Sequence, residues 1–233
     1  MKNRTILVLC LFFLICISVF SSVAVLSAQE DEEIAGFEIL DVYLEQNVTD
    51  GDMELVVVIE GPADGIEQLT VVAPNGDIIV DHDTSGEGSL GLREFMFESP
   101  EPDVETVLAS YPEGDYTFFG ITVEGSVLYG TASLSHEMPM PTTFVSPEED
   151  AENVAGDEVL ISWEAVDNVE GYIVEVEQDE VGFNFTAEVS ADTTSFKLPG
   201  EFLAAGTEYE LGIATENEAG NVSFIETTFT TAE

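Results

Sequence analysis

The sequence predicts an all-β protein: two tandem β-sandwiches following an N-terminal signal peptide. Three observations carry this expectation. Short apolar segments recur at roughly ten-residue spacing with turn residues between them. A positively charged start, a long apolar run and a small-residue stretch precede them. The apolar content is 45% although 48 acidic residues stand against 4 basic ones, and acidic chains that stay unfolded lack such a content.

The leader comes first. Lys2 and Arg4 open it, an apolar run extends from Ile6 to Leu26, and Ser22-Val23-Ala24 and Leu26-Ser27-Ala28 offer small-residue cleavage sites. Residues 1–28 therefore read as a signal peptide and 29–35 as an acidic tail. The run approaches bilayer-spanning length, so the alternative is an uncleaved anchor, which would be the chain's one membrane contact. Both readings place the body of the chain outside the cytoplasm. Cys10 and Cys16 lie within the apolar run, so the mature chain has no thiol for a disulfide and must rest on hydrophobic cores.

The formal net charge is −44. Beyond the leader the basic residues are Arg93 and Lys197. Such a surface repels nucleic acid and anionic lipid. It suits concentrated salt, where screening lengths shrink to a few Å, and it suits divalent cations. The plainer alternative is solubility.

Residues 36–138 read as the first sandwich. Phe37, Ile39 and Asp41 alternate with Glu38, Leu40 and Val42. Leu55 to Ile59 is a buried-type strand and Ile66 to Val72 another. Asn75-Gly76 is the strongest short hairpin signal, pairing 69–73 with 77–81. Further strands are expected at 92–98, 115–123 and 127–134, the last two joined at Glu124-Gly125. Between them Asp103 can cap a short helix carrying Val104, Val107 and Leu108 at helical spacing, stopped near Tyr111-Pro112. Pro139 and Pro141 mark the boundary to the second domain, residues 139–233.

The second half is more specific. Val159-Leu-Ile-Ser-Trp163 ends on the only tryptophan, and Gly171-Tyr172-Ile-Val-Glu-Val176 follows. Then comes Leu203-Ala-Ala-Gly-Thr-Glu-Tyr209-Glu-Leu211-Gly-Ile213, running on through Asn217 and Gly220 to Ser223. From about Pro141 to Glu233 these residues resemble the fibronectin type III family, an immunoglobulin-like β-sandwich. The resemblance implies Trp163 at the core centre, Tyr172 on the C strand, and Tyr209 in a tyrosine corner whose hydroxyl bonds backbone upstream. Leu211 and Ile213 should point inward at period two, with Glu210 and Gly212 outward. Asn217 and Gly220 should take the positive φ of an F–G turn. In the first half, Gly91-Leu-Arg-Glu-Phe-Met-Phe-Glu-Ser-Pro, Tyr111-Pro-Glu-Gly-Asp-Tyr-Thr-Phe and Gly130-Thr-Ala-Ser-Leu-Ser-His136 resemble a β domain that precedes such modules in uncharacterised secreted bacterial proteins.

Little of the sequence points to chemistry. Asp81-His-Asp83-Thr-Ser85-Gly86 matches the opening of a calcium loop, with Glu87 and Glu94 as substitute oxygens in an irregular site. The twelfth position is Leu92, where that loop needs a bidentate glutamate. The other reading is a polar hairpin loop, and calcium is the one cofactor in view. His82, beside Asp81 and Asp83, reads as a solvated loop histidine, with a metal or proton site as the alternative. His136 has no partner at ligand spacing. No nucleophile elbow, zinc-protease, phosphate-loop or dinucleotide motif occurs, and carboxylate pairs are too common to mark a catalytic pair, so the chain reads as non-enzymatic. Asn47, Asn184 and Asn221 open N-x-[ST] sequons, which mark surface positions where a host glycosylates. Phe183 and Phe185 should face the core and leave Asn184 outward.

The reading these features support is a secreted or cell-surface binding or spacer protein, its partner an extracellular protein or surface polymer. Its rival is a calcium- or salt-dependent structural subunit of a surface layer or extracellular filament. An accessory carbohydrate-binding unit is weaker, because Trp163 is assigned to the core. The charge balance yields a first prediction. Two cations beyond the leader cannot neutralise the acids, so self-repulsion should oppose folding in dilute buffer. The thermal midpoint should therefore rise steadily with sodium chloride, and a midpoint indifferent to salt would refute salt adaptation.

Overall fold

In the first half, β1 (Ile39–Asn47) and β2 (Asp52–Glu60) form a hairpin closed at Gly51, whose φ of +81° a side chain would strain. The structure, a computed structural model, describes residues 35–156, 158–178, 180 and 182–233. The predicted signal peptide and residues 29–34 of the acidic tail lie outside the described residues. Val42 and Leu44 of β1 and Met53, Leu55, Val57 and Ile59 of β2 point to one side at period two and are buried. Facing them is a four-stranded sheet in the order β4-β3-β6-β7, made of β3 (Ile66–Val72), β4 (Ile78–Asp83), β6 (Gly114–Thr122) and β7 (Val127–Leu134). Its Ile66, Leu69, Val71, Tyr116, Phe118 and Leu128 complete the core. The strand β5 (Glu94–Glu98) flanks β2.

The expected helix is present as α1 (Val104–Ser110). Asp103 caps it, accepting from the Thr106 backbone N–H at 3.1 Å and from the Thr106 hydroxyl at 2.8 Å. Val107 enters the core and Val104 and Leu108 pack against it.

The Asn75-Gly76 turn forms, with Asn75 Oδ1 accepting from the Asp77 N–H, but the hairpin beyond it departs from the expected register. An irregularity between Val71 and Val72 slips β4 by one residue, so Val71 faces Val80 and Leu69 faces His82. A one-residue slip exchanges the faces of a strand. It carries His82 inward, edge-on to Phe95 at 5.3 Å between ring centroids, and leaves Asp81 and Asp83 exposed. His82 is therefore a packed strand residue and not a solvated loop histidine. His136 is not free either: its Nε2 lies 2.8 Å from the Tyr111 carbonyl oxygen.

The second half stacks a three-stranded sheet on a four-stranded one. The first has the order β13-β10-β8, from β8 (Phe144–Ser146), β10 (Glu158–Trp163) and β13 (Ser195–Pro199). The second has the order β12-β11-β14-β15, from β11 (Gly171–Gln178), β12 (Phe183–Ser190), β14 (Glu208–Glu216) and β15 (Val222–Thr231). A short β9 (Ala151–Val154) runs parallel to the end of β15. Trp163 is 3% exposed and packs on Tyr172 at 5.3 Å. The Tyr172 hydroxyl accepts from the Val166 N–H at 2.8 Å. The Tyr209 hydroxyl accepts from the Ala204 N–H at 2.7 Å, and its ring stacks on Phe229. Leu211 and Ile213 are wholly buried in the same core. Phe183 and Phe185 pack against that core and Asn184 is exposed.

The two halves share a sheet. The first residues of β15 pair in parallel with the end of β1, Glu45 with Val222, Gln46 with Ser223 and Asn47 with Phe224. The order β12-β11-β14-β15-β1-β2-β5 thus runs unbroken through both halves, and residues Ala35–Glu233 make one compact unit. Asn221 closes the seam. Its Oδ1 accepts from the Leu44 N–H at 2.8 Å, and its Nδ2 donates to the carbonyls of Ser135 and Glu137 at 2.9 and 3.0 Å. The linker is bound in the same way: Thr215 and Ser223 hydroxyls donate to the Met140 and Pro139 carbonyls. Gly220 has the expected positive φ. Asn217 does not; it shapes the turn through Oδ1, which accepts from the N–H groups of Ala219 and Asn221.

Two substitutions test the second core. Tyr209→Phe should cost about 1–3 kcal/mol, since the Ala204 N–H loses its acceptor. Trp163→Ala should cost about 3–5 kcal/mol through the cavity it leaves. Denaturant unfolding measures both, and no change in either midpoint would contradict this packing.

Candidate functional site

The residues that point away from the two cores on the shared sheet build one acidic groove. In the β1–β2 register Glu45 stands directly opposite Glu54, a like-charged cross-strand pair that disfavours both charges. In the second half Glu175 of β11 and Glu226 of β15 flank Gly212 of β14 in a single row. With no side chain at Gly212 the floor between them stays low, and the Phe224 ring approaches it. The segment after β5 runs back along β2, held where the Met53 N–H donates to the Pro102 carbonyl at 3.1 Å. It brings Glu101 to the rim. Asp50, Asp52 and Asn47 complete the lining of a cavity of about 280 Å³.

The electrostatics follow from this crowding. Burial raises Glu45 from 4.5 to about 7, and Glu54, Glu175, Glu98 and Glu101 add to it. Burial likewise lifts Glu54 from 4.5 to about 7, reinforced by Glu98, Glu101 and Asp52. Burial and then Glu177 raise Glu175, against a hydrogen bond from Thr186. Burial next to Glu45 pushes the Tyr43 hydroxyl up to about 12. Among the described residues no cation relieves them: Arg93 binds Glu60 and Glu38 at 2.8 and 3.2 Å, and Lys197 binds Glu158 at 2.7 Å. Glu45 and Glu54 are both raised by burial first and by neighbouring carboxylates next.

The residues singled out in the sequence lie elsewhere or serve the fold. Asp83 Oδ1 accepts from the Ser85 N–H and hydroxyl at 2.7 and 2.5 Å, and these bonds hold its carboxyl below the usual range. Asp81 and Glu87 are exposed. Among the described residues no group of three or more His, Cys, Asp or Glu side chains is gathered closely enough to hold a metal ion. Of the sequons, Asn184 is exposed and donates to Glu177. Asn47 donates to Glu226 at 2.7 Å and accepts from the Thr49 and Asp50 N–H groups. Asn221 corrects the expectation of a surface position: it is 0% exposed, because its whole amide serves the seam. The groove itself had no sequence signal, since it depends on which strands become neighbours.

A family model described as Fibronectin type III domain matches residues 146–231. Residues 146–231 form a fibronectin type III-like module. The strands of this module, its buried Trp163 and its Tyr209 corner are those described above, and modules of this type are typically non-catalytic. Among solved structures, one fibronectin type III domain of human collagen XX is 23% identical, covering 40% of this chain and 92% of its own, at a TM-score of 0.32. A two-domain fibronectin type III segment of chicken tenascin is 17% identical, covering 84% and 99%, at 0.31. Fibronectin(III)-like modules of Clostridium thermocellum CbhA are 9% identical, covering 84% and 93%, at 0.33. No curated protein matches the chain. Among the described residues no helix is long and apolar enough to cross a membrane.

The pH dependence follows from the two glutamates. Their folded pKa lies above the unfolded value, so between about pH 4.5 and 7 the folded state holds more protons than the unfolded chain. Their contribution to stability is greatest below that window and is lost as pH rises through it. Thermal midpoints in low salt should fall across this range, and Glu45→Gln/Glu54→Gln should flatten the fall and raise the midpoint above it. An unchanged slope in the double variant would refute the assignment.

Proposed function

We propose that the protein is a non-enzymatic extracellular or cell-surface binding and spacer protein, in which the fibronectin type III-like module and the preceding β domain act as one stiff unit. The observation that carries this reading is the parallel pairing of β1 with β15. Modules joined by a free linker reorient readily, and a small polar contact between them leaves that freedom intact. Here backbone hydrogen bonds of one sheet cross the junction, and buried side chains hold the carbonyls of Ser135, Glu137, Pro139 and Met140. A unit built this way keeps its two ends at a fixed separation and presents one continuous face to a partner. The extracellular location is supported by the leader pattern of the sequence and by the module type.

Asn221→Ala tests the stiffness. The change strips the partner from the buried Leu44 N–H and from the Ser135 carbonyl, and a buried group left unsatisfied costs about 1–3 kcal/mol. The parent protein should unfold in one calorimetric transition and scatter X-rays as a rigid rod or block. The variant should show two transitions and a larger radius of gyration. One transition and identical scattering in the variant would refute a seam that couples the halves.

A further inference from the structure

We propose that the acidic groove is a binding site for an alkylammonium group, presented as a lysine side chain of a protein partner or as a free polyamine. This rests on the binding-and-spacer reading and names the chemistry of the partner. Its first support is Glu54. That residue is 9% exposed and lines the groove. Among the described residues it takes part in none of the ion pairs, which join Arg93 to Glu38 and Glu60 and Lys197 to Glu158, and no hydrogen-bond donor reaches its carboxylate. An ionisable group so placed is costly unless something pairs with it. The second support is what surrounds it. Glu45 faces it across the strand pair, Glu101 stands on the rim, and Glu175 and Glu226 lie across the seam, so every charge aimed at the space is negative.

The shape of the donor set selects the ligand. A calcium ion wants six to eight oxygens at about 2.3–2.6 Å around one point, whereas here no three carboxylates gather closely enough to hold a metal ion. They are spread over β1, β2, β11, β15 and the segment after β5. A polyamine or an oligolysine carries several ammonium groups along one chain, so that separate carboxylates can each take a different one. The methylene stem between them needs an apolar surface to lie on, and Phe224, which lines the groove, supplies one. The Phe224 ring covers the bare backbone at Gly212, in the row between Glu175 and Glu226.

The test is isothermal titration of the purified protein at constant ionic strength with spermidine, with an oligolysine peptide, and with calcium chloride. Spermidine or oligolysine should bind at one site, and Glu54→Gln should weaken it about tenfold or more, the effect of losing one charge-assisted hydrogen bond. Glu124→Gln, in the exposed β6–β7 turn on the other sheet, should bind as the parent does. Near pH 7 the heat should depend on the ionisation enthalpy of the buffer, because binding expels protons from Glu45 and Glu54. Tighter binding of oligolysine points to a protein partner and tighter binding of spermidine to a free polyamine. Equal affinity in the parent and Glu54→Gln overturns the proposal, as does no heat beyond that of sodium chloride. Glu54-dependent binding of calcium alone overturns it in favour of a divalent ion. Unchanged melting of Glu54→Gln at low pH shows that the variant folds. Rigid scattering with a null titration removes the ammonium site and leaves the spacer reading standing.

Discussion

The pairing of β1 with β15 is the constraint on which the remaining structure depends. The last strand of a β-sandwich exposes a row of unpaired backbone groups that invites other chains. In this protein that edge is divided. β1 takes its first residues and β9 its last, so neither half closes its sheet without help from outside its own hairpins. Asn221 makes the pairing specific. Both of its amide protons and its carbonyl oxygen are used on backbone groups of the first half and linker. A neutral apolar residue there would leave the Leu44 N–H buried and unsatisfied, which costs more than the net gain from any one hydrogen bond.

The same pairing creates the electrostatic problem of the molecule. In separate sandwiches Glu45 and Glu175 would sit on different surfaces, each facing water. Joined into one sheet, they face the same groove with Glu54 and Glu226. The seam must therefore outweigh repulsion across its own outer face. Exposed acids elsewhere are screened and contribute little to this balance. Glu45, Glu54 and Glu175 are half-buried or buried, and burial is the first cause of the shift of each.

What the sequence made legible was local. Asp103 and the helical spacing of Val104, Val107 and Leu108 were enough for α1, because a cap and a face are encoded within one turn. Trp163, Tyr172, Tyr209 and Leu211 were readable because their spacing belongs to one module. The β3–β4 hairpin was placed but its register was not: the slip near Val72 turns Val80 and His82 toward the core, half-burying them, and nothing in Asn75-Gly76 encodes it. Asn221 read as a sequon because its short motif looks the same on a surface and in a seam. The groove was invisible for a related reason. Glu45 and Glu226 are far apart in sequence, and among so many acidic residues no single one stands out until the strands are ordered.

Composition by itself cannot account for Glu54. A chain acidic for solubility or for salt would place its carboxylates where they cost least, on exposed strand faces and in turns, as it does at Glu149 and Glu210. Position 54 is a buried strand site on the outer face of β2 with a glutamate opposite it. Threonine or valine would suit the strand there and relieve both charges. A carboxylate kept at such a position raises the energy of the empty groove and so increases the gain when positive charge enters it. The protein that carries it is less stable alone and more strongly coupled to its ligand. Because the groove is walled by both halves, that ligand would also tighten the seam, linking the stiffness of the unit to what it holds.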